Sequence, residues 1–150
     1  RDRDRPLSAW PQSLEVRAVW LGKSARTVDM IKGFEAHLDN AEVQRLLIDT
    51  DRTSRKFFSA MAGDRVGEAL QHFGWLASNM ALLGRACEIP IVIDKHVELA
   101  SSLPTPFVAK PSGAGGGDFS LVAGPADADW EALDVVFEDL RFDVAPVGEF

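Results

Sequence analysis

Four of the chain's twelve glycines lie in one short stretch, AKPSGAGGGDF, which runs from Ala109 to Phe119. Glycine disfavours an ordered backbone entropically unless the chain needs a positive φ angle or a close approach there. The stretch is therefore either a slack linker or a loop that packs tightly against something. Flexible glycine linkers are usually mixed with serine and flanked by polar sequence. This stretch lies between apolar segments at 106–109 and 119–123, which favours an ordered loop.

Two well-known nucleotide-binding loops do not fit this stretch. The letters GAGGGD contain Gly-x-Gly, but a dinucleotide-binding loop continues directly into a helix. Residues 119–123, FSLVA, instead predict a strand. A P-loop ends in Gly-Lys followed by Ser or Thr, whereas this stretch ends in Gly-Gly-Asp.

A phosphate-binding loop is the third interpretation. Successive backbone N–H groups in a glycine-rich turn can point inward and bind an anion. Ser112 adds a hydroxyl donor, and Lys110 adds a positive charge two residues earlier. A carboxylate repels phosphate, so we expect Asp118 to orient Ser112, a backbone N–H group or a bridging cation.

The charge and the cysteine count limit the classes of partner and compartment. A formal net charge of −7 argues against non-specific binding to nucleic acid or to an anionic membrane. No apolar run approaches the roughly 20 residues that span a bilayer. The single cysteine, Cys87, excludes an intrachain disulfide and predicts a reducing, cytoplasmic environment. Residues 1–12 begin with the charged RDRDRP, which is no signal peptide, and are expected to form a ragged terminal segment.

Hydrophobic periodicity predicts four strands separated by helices. In 14–22, Leu14, Val16, Ala18 and Trp20 alternate, which predicts a strand with one buried face. Further strands are predicted at 106–111, 119–124 and 142–147. Helical spacing of apolar residues predicts helices over 28–40, 41–62, 64–86 and about 92–103, and a last one that Asp127 caps and that ends near Leu140. The polar letters IDTDRTSRK, at 48–56, allow a break in the second helix.

The order of these elements predicts the fold class. Without the additional helices it is β-α-β-β-α-β, the ferredoxin-like split β-α-β arrangement. We therefore expect an α+β fold with an antiparallel sheet and helices on one of its faces.

The letters KPSGAGGGD resemble the third conserved motif of the GHMP kinases, and their spelling is most similar to bacterial phosphomevalonate kinases. VWLGKSARTVDMI, at 19–31, resembles more loosely the opening of the C-terminal domain in that family. The resemblance implies that 13–150 is a GHMP kinase C-terminal, substrate-side domain. It also implies an N-terminal ATP-binding domain that this sequence lacks, because nothing here resembles the family's nucleotide-binding loop.

The resemblance also implies a function for the longer parent protein. That protein would transfer the γ-phosphoryl group of ATP, with Mg²⁺, to mevalonate 5-phosphate in isoprenoid precursor synthesis. ATP and Mg²⁺ would be bound mainly by the N-terminal domain, so no catalytic residue is expected in this chain, which alone would be inactive. By resemblance, Ser112, Gly113 and Ala114 contact phosphate, Gly115, Gly116 and Gly117 allow its close approach, and Asp118 holds the loop. For Lys110, a phosphate contact and a surface position at a strand end are equally expected.

An alternative function is a non-catalytic, ferredoxin-like module for ligand binding or regulation, since fold alone does not separate the two. If a partner domain is missing, an apolar surface is exposed, and a homodimer through that surface is predicted.

The remaining polar candidates are expected to have ordinary structural roles. The three histidines, His37, His72 and His96, fall on different predicted helices, so no metal site is expected. Each is expected at the surface or half-buried. Ser24 and Thr27 lie at a predicted helix start, where capping is the expected role.

Overall fold

The computed structural model describes residues 11–22 and 26–146. None of the helices formed by these residues is long and apolar enough to cross a bilayer. In chain order the elements are β1 (Leu14–Trp20), α1 (Thr27–Glu35), α2 (Ala41–Ala62), α3 (Val66–Ala86), α4 (Asp94–Ser102), β2 (Val108–Pro111), β3 (Phe119–Pro125), α5 (Trp130–Asp139) and β4 (Asp143–Pro146).

The strands form one antiparallel sheet in the order β2-β3-β1-β4. β1 pairs with β3 over its full length, with Leu14 opposite Pro125 and Trp20 opposite Phe119. Because β3 runs antiparallel to both neighbours, β1 and β2 are parallel and are separated by β3. This is the split β-α-β arrangement, so the predicted α+β, ferredoxin-like fold with additional helices is confirmed.

Helices cover both faces of the sheet, which corrects the expectation of helices on one face. In β1, Leu14 and Val16 pack with residues of α2 and α3, whereas Val19 packs with residues of α4 and α5. In β3, Ala123 joins the first cluster and Val122 the second. Successive side chains of a strand point to opposite faces, so the sheet is buried on both sides.

The second helix is continuous, and the break considered within 48–56 is absent. The side chain of Asn40 caps its start by accepting the N–H of Glu42. Its polar middle forms an outward surface, where Asp51 pairs with Arg55 one turn later at 2.9 Å. A polar stretch therefore continues a helix when its side chains face water and pair with each other.

The helix caps differ from the predicted ones. Asp129, not Asp127, caps α5, because its carboxylate accepts a backbone N–H of the first turn at 2.9 Å. The first helix begins at Thr27, but its N-cap position is Arg26, which provides no side-chain cap. The predicted cap Ser24 lies outside the described residues.

Candidate phosphate-binding site

The glycine-rich loop connects β2 to β3 as an ordered turn. The N–H of Ser112 donates to the carbonyl of Phe119 at 2.9 Å, and the N–H of Gly115 donates to the carbonyl of Ser112 at 3.0 Å. All four of its glycines have positive φ angles, from 54° at Gly113 to 116° at Gly117. L-residues adopt such angles only with strain, which explains why the loop needs glycine.

The loop packs tightly against the chain that follows α3. A Cβ atom at Gly115 would lie 2.3 Å from the carbonyl oxygen of Ile91. The next residue, Gly116, donates its N–H to that same oxygen at 3.0 Å. Gly115, Gly116 and Gly117 are buried. These contacts contradict the slack-linker alternative, because what the loop wraps is the protein's own backbone at Ile91.

The hydrogen bonds divide the loop into engaged and available donors. The N–H groups of Gly115 and Gly116 are engaged within the fold. Those of Gly113, Ala114 and Gly117 make no hydrogen bond to any described residue. Gly113 and Ala114 are also exposed, so they are the donors that an anion can reach from solvent.

Asp118 is half-buried at the end of the loop. Its carbonyl accepts the N–H of Leu21, just beyond β1, at 3.0 Å. This bond ties the loop to the end of the interior strand β1, which gives Asp118 a backbone role in holding the loop in place.

Lys110 is a half-buried cation without a carboxylate partner among the described residues. Its Nζ atom donates to the carbonyl of Pro111 at 2.6 Å and lies 5.7 Å from the centre of the Phe73 ring. Burial lowers the pKa of the Lys110 ammonium, since the charged form loses solvation there. The structure therefore contradicts a simple surface position at the strand end.

A groove of about 400 Å³ opens beside Lys110 and the loop. Its walls come from α1, α2, α3 and the segment that follows α3, and they are mainly apolar. The lining residues are Met30, Ile31, Phe34, Thr50, Ser54, Leu76, Met80, Leu83, Ile89, Ile91, Lys110, Gly113 and Ala114. A mainly apolar groove of this size with a few polar groups among its lining residues is typical of small-molecule sites.

Two of the three histidines are buried, which corrects the expectation of surface or half-buried positions. A hydrogen bond joins Nδ1 of His96 to Oγ of Ser120. Burial, and secondarily the positive charge of Lys110, lower the pKa of His96 to about 4, so its ring is neutral at pH 7. His72 is buried beside Trp75, and its Nδ1 has no hydrogen-bond partner among the described residues.

Within 11–22 and 26–146, no cluster of three or more His, Cys, Asp or Glu residues has a geometry that would hold a metal ion. Cys87 is buried at 1% exposure, and burial raises the pKa of its thiol. A raised pKa keeps the thiol protonated and weakly reactive.

Sequence reasoning missed the groove and the His96–Ser120 pair. The residues of the groove are distributed from Met30 to Ala114, and no local pattern shows that three helices meet there.

Comparison with known proteins gives structural matches only. No family model matches the sequence, and no curated protein is significantly similar to it. A Lin0012 protein from Listeria innocua is similar in structure, with a TM-score of 0.77 and 20% identity over 87% of this chain and 38% of that one.

Phosphomevalonate kinase from Streptococcus pneumoniae, in complex with phosphomevalonate and AMPPNP, has a TM-score of 0.76 and 18% identity over 90% of this chain. Another structure of that kinase has a TM-score of 0.68 and 16% identity. The chain covers 40% and 41% of these two kinase chains. At such identities the likeness establishes the fold. The chain therefore has the fold of about two fifths of a phosphomevalonate kinase, as the GHMP kinase resemblance implied.

Proposed function

We propose that this chain is the acceptor-side, C-terminal domain of a small-molecule kinase. The complete enzyme transfers the γ-phosphoryl group of MgATP to the phosphate of mevalonate 5-phosphate. An oxygen of the acceptor phosphate attacks the γ-phosphorus, the bond to the β–γ bridging oxygen breaks, and ADP leaves.

The observation that carries this proposal is that a lysine and two residues with unpartnered backbone N–H groups line the same groove. Lys110, Gly113 and Ala114 line it together. Gly113 and Ala114 are exposed residues, and their N–H groups have no hydrogen-bond partner among the described residues. A half-buried ammonium with backbone N–H donors is suited to an anion such as phosphate. The likeness to a kinase solved with phosphomevalonate and AMPPNP supports the same function.

Phosphoryl transfer depends mainly on positioning and on neutralising charge. In the proposed reaction, Lys110 offsets the repulsion between the acceptor phosphate and the triphosphate. The hydroxyl of Ser112 and the backbone N–H groups of Gly113 and Ala114 supply the neutral donors. The remaining loop residues keep these donors in position through their contacts with Ile91 and Leu21.

We place MgATP on an N-terminal kinase domain outside this sequence. The described residues include no set of side chains that would hold Mg²⁺ by themselves. Among the described residues of the proposed site, Lys110 alone has a cationic side chain. One cation is too little positive charge to neutralise a triphosphate. The chain alone is then expected to bind the acceptor but to transfer no phosphoryl group, and we expect the protein in the cytoplasm.

Calorimetric titration of the chain with mevalonate 5-phosphate tests this proposal. Replacing Lys110 by Met removes a charge-assisted hydrogen bond, so binding should weaken about tenfold or more. Lys56→Met is the matched control, because Lys56 is exposed on α2 and has no hydrogen bond or ion pair with the described residues. Mevalonate, which lacks the phosphate, should bind much more weakly than mevalonate 5-phosphate.

If the Lys110→Met variant and the unchanged chain bound mevalonate 5-phosphate equally well, Lys110 would not be part of the binding site. A second assay separates the kinase from a non-catalytic module. Phosphorus NMR should detect the diphosphate product when the longer polypeptide that contains both domains is given MgATP and mevalonate 5-phosphate. Binding without product in that polypeptide would favour the module.

A further inference from the structure

We propose that the groove binds the aliphatic tail of an amphipathic anion whose head lies at Lys110. This inference rests on the proposed function for the anion position at Lys110, and it adds a tail subsite formed by α1, α2 and α3. The class of ligand is an alkyl chain that ends in a phosphate or a carboxylate.

The walls of the groove favour a hydrocarbon. Met30, Leu76, Leu83 and Ile91 are each at least nine-tenths buried and line its inner side. Met80 is half-buried on α3 and also lines the groove. Methionine side chains adapt readily to irregular apolar shapes, so the groove can take chains of different lengths and branching.

The groove is accessible from solvent on the side of α1. Ile31 lines it with 50% of its surface exposed. The hydroxyl of Thr50, another lining residue, already donates to the carbonyl of Leu46 at 2.7 Å. That hydroxyl therefore adds little polarity, and an apolar tail leaves it satisfied.

The charge of Lys110 determines the chemistry of the head group. Its ammonium is half-buried, yet its hydrogen-bond acceptor is a neutral carbonyl and no described carboxylate pairs with it. A partly desolvated cation is stabilised by an anion. Among the described residues, no other lysine or arginine lines the groove, so the complementary ligand has its charge at one end.

Mevalonate 5-phosphate does not use this groove fully. Besides its phosphate it carries a carboxylate and a hydroxyl group, and the groove offers these few partners. A ligand with one anionic end and an apolar remainder matches the described walls better. Such a molecule would compete with the acceptor at Lys110, either as an inhibitor or as an alternative substrate.

A chain-length series tests the inference. The probes are inorganic phosphate and hexyl, octyl and decyl phosphate, each titrated calorimetrically into the 150-residue chain below its micelle concentration. Burial of each methylene should tighten binding about fourfold, so octyl phosphate should bind about sixteenfold more tightly than hexyl phosphate. Octanoate in place of octyl phosphate shows whether the head subsite prefers phosphate or carboxylate, and octanol should bind much more weakly than both.

Variants that fill the groove locate the tail. Met80→Trp and Ser54→Phe each place a bulky side chain in the groove from a different helix, so the test survives if one of them fails to fold. Both should abolish the gain with chain length and leave the affinity for inorganic phosphate unchanged. Leu82→Trp is the matched control, because Leu82 lies on α3 at 36% exposure and does not line the groove.

The outcomes separate this inference from the proposed function. If phosphate binds but affinity does not rise with the length of the alkyl chain, the inference of a tail subsite is wrong. The proposed phosphate site is not contradicted by that result. A chain-length gain that persists in both filled variants would also overturn the tail subsite. If octanol bound as tightly as octyl phosphate, the result would contradict the binding of an anionic head group at Lys110. If no phosphate compound binds, the proposed function and this inference both fail.

Discussion

Replacing Gly115 by Ala tests whether the glycine-rich loop is held against Ile91. At this position φ is +78°, and an added Cβ would lie 2.3 Å from the Ile91 carbonyl oxygen and 2.7 Å from its Cγ2 atom. Left-handed backbone costs an L-residue about 1–2 kcal/mol. The steric conflict with a backbone oxygen adds about 1–3 kcal/mol. The sum predicts a loss of about 2–5 kcal/mol in the free energy of unfolding.

Gly113→Ala is the matched control for this prediction. Its φ is +54°, but an added Cβ would have no atom within 4 Å. It should therefore cost only the conformational term, about 1–2 kcal/mol. Urea unfolding followed by circular dichroism measures both variants. If Gly115→Ala destabilises the chain no more than Gly113→Ala, the packing of the loop against Ile91 is wrong.

Three further predictions concern stability. Burial holds the pKa of His96 at about 4, below its unfolded value, so its contribution is present above pH ~6.5 and is lost as pH falls toward 4. His96→Gln should reduce this loss in urea titrations at pH 7 and pH 4.5, and an identical loss would contradict the shift. Gly67→Ala on α3 has no atom within 4 Å of its Cβ and should stabilise the chain by about 0.5–1 kcal/mol in thermal unfolding. Leu133→Ala should cost about 2–5 kcal/mol because Leu133 is fully buried, while Val135→Ala, at 57% exposure, should be nearly neutral.

The fold class followed from the sequence because hydrophobic periodicity and glycine positions are local signals. Leu14 and Val16 alternate as a buried strand face should, and both are buried. The same strand also shows where the prediction of a single buried face is wrong. Val19, on the opposite face, is fully buried, whereas Trp20 is only half-buried. Apolar residues of both parities near the end of β1 were the available signal for a sheet covered on both sides.

The loop was identified from sequence, but its contacts were not. The backbone at Gly113 and Gly115 has positive φ angles, which the run of glycines in the sequence predicts. The carbonyl of Ile91 that meets Gly115 lies 24 residues earlier in the chain, and only the packing of α3 onto the sheet brings it there. The same reason explains Lys110, whose burial depends on Phe73 of α3.

Some N–H groups of the loop are hydrogen-bonded within the fold and others are not, and this difference changes the expected phosphate contacts. The resemblance to GHMP kinases implies that Gly115, Gly116 and Gly117 together allow the close approach of phosphate to the backbone. In the structure, Gly115 and Gly116 serve the fold through Ser112 and Ile91, which leaves Gly117 with an N–H group free of described partners. Glycine is thus needed in this loop for internal packing as well as for any ligand.

An amide NMR titration of the chain tests whether the glycine-rich loop binds phosphate. Mevalonate 5-phosphate, inorganic phosphate and MgATP are added in separate experiments. We expect mevalonate 5-phosphate to shift the amides of Gly113 and Ala114 most. Smaller effects are expected at Gly115 and Gly116, whose N–H groups are engaged, and at the buried Gly117. MgATP should shift the loop far less. If mevalonate 5-phosphate and inorganic phosphate both leave the loop amides unchanged, the loop is a structural connector and the phosphate-binding site is wrong.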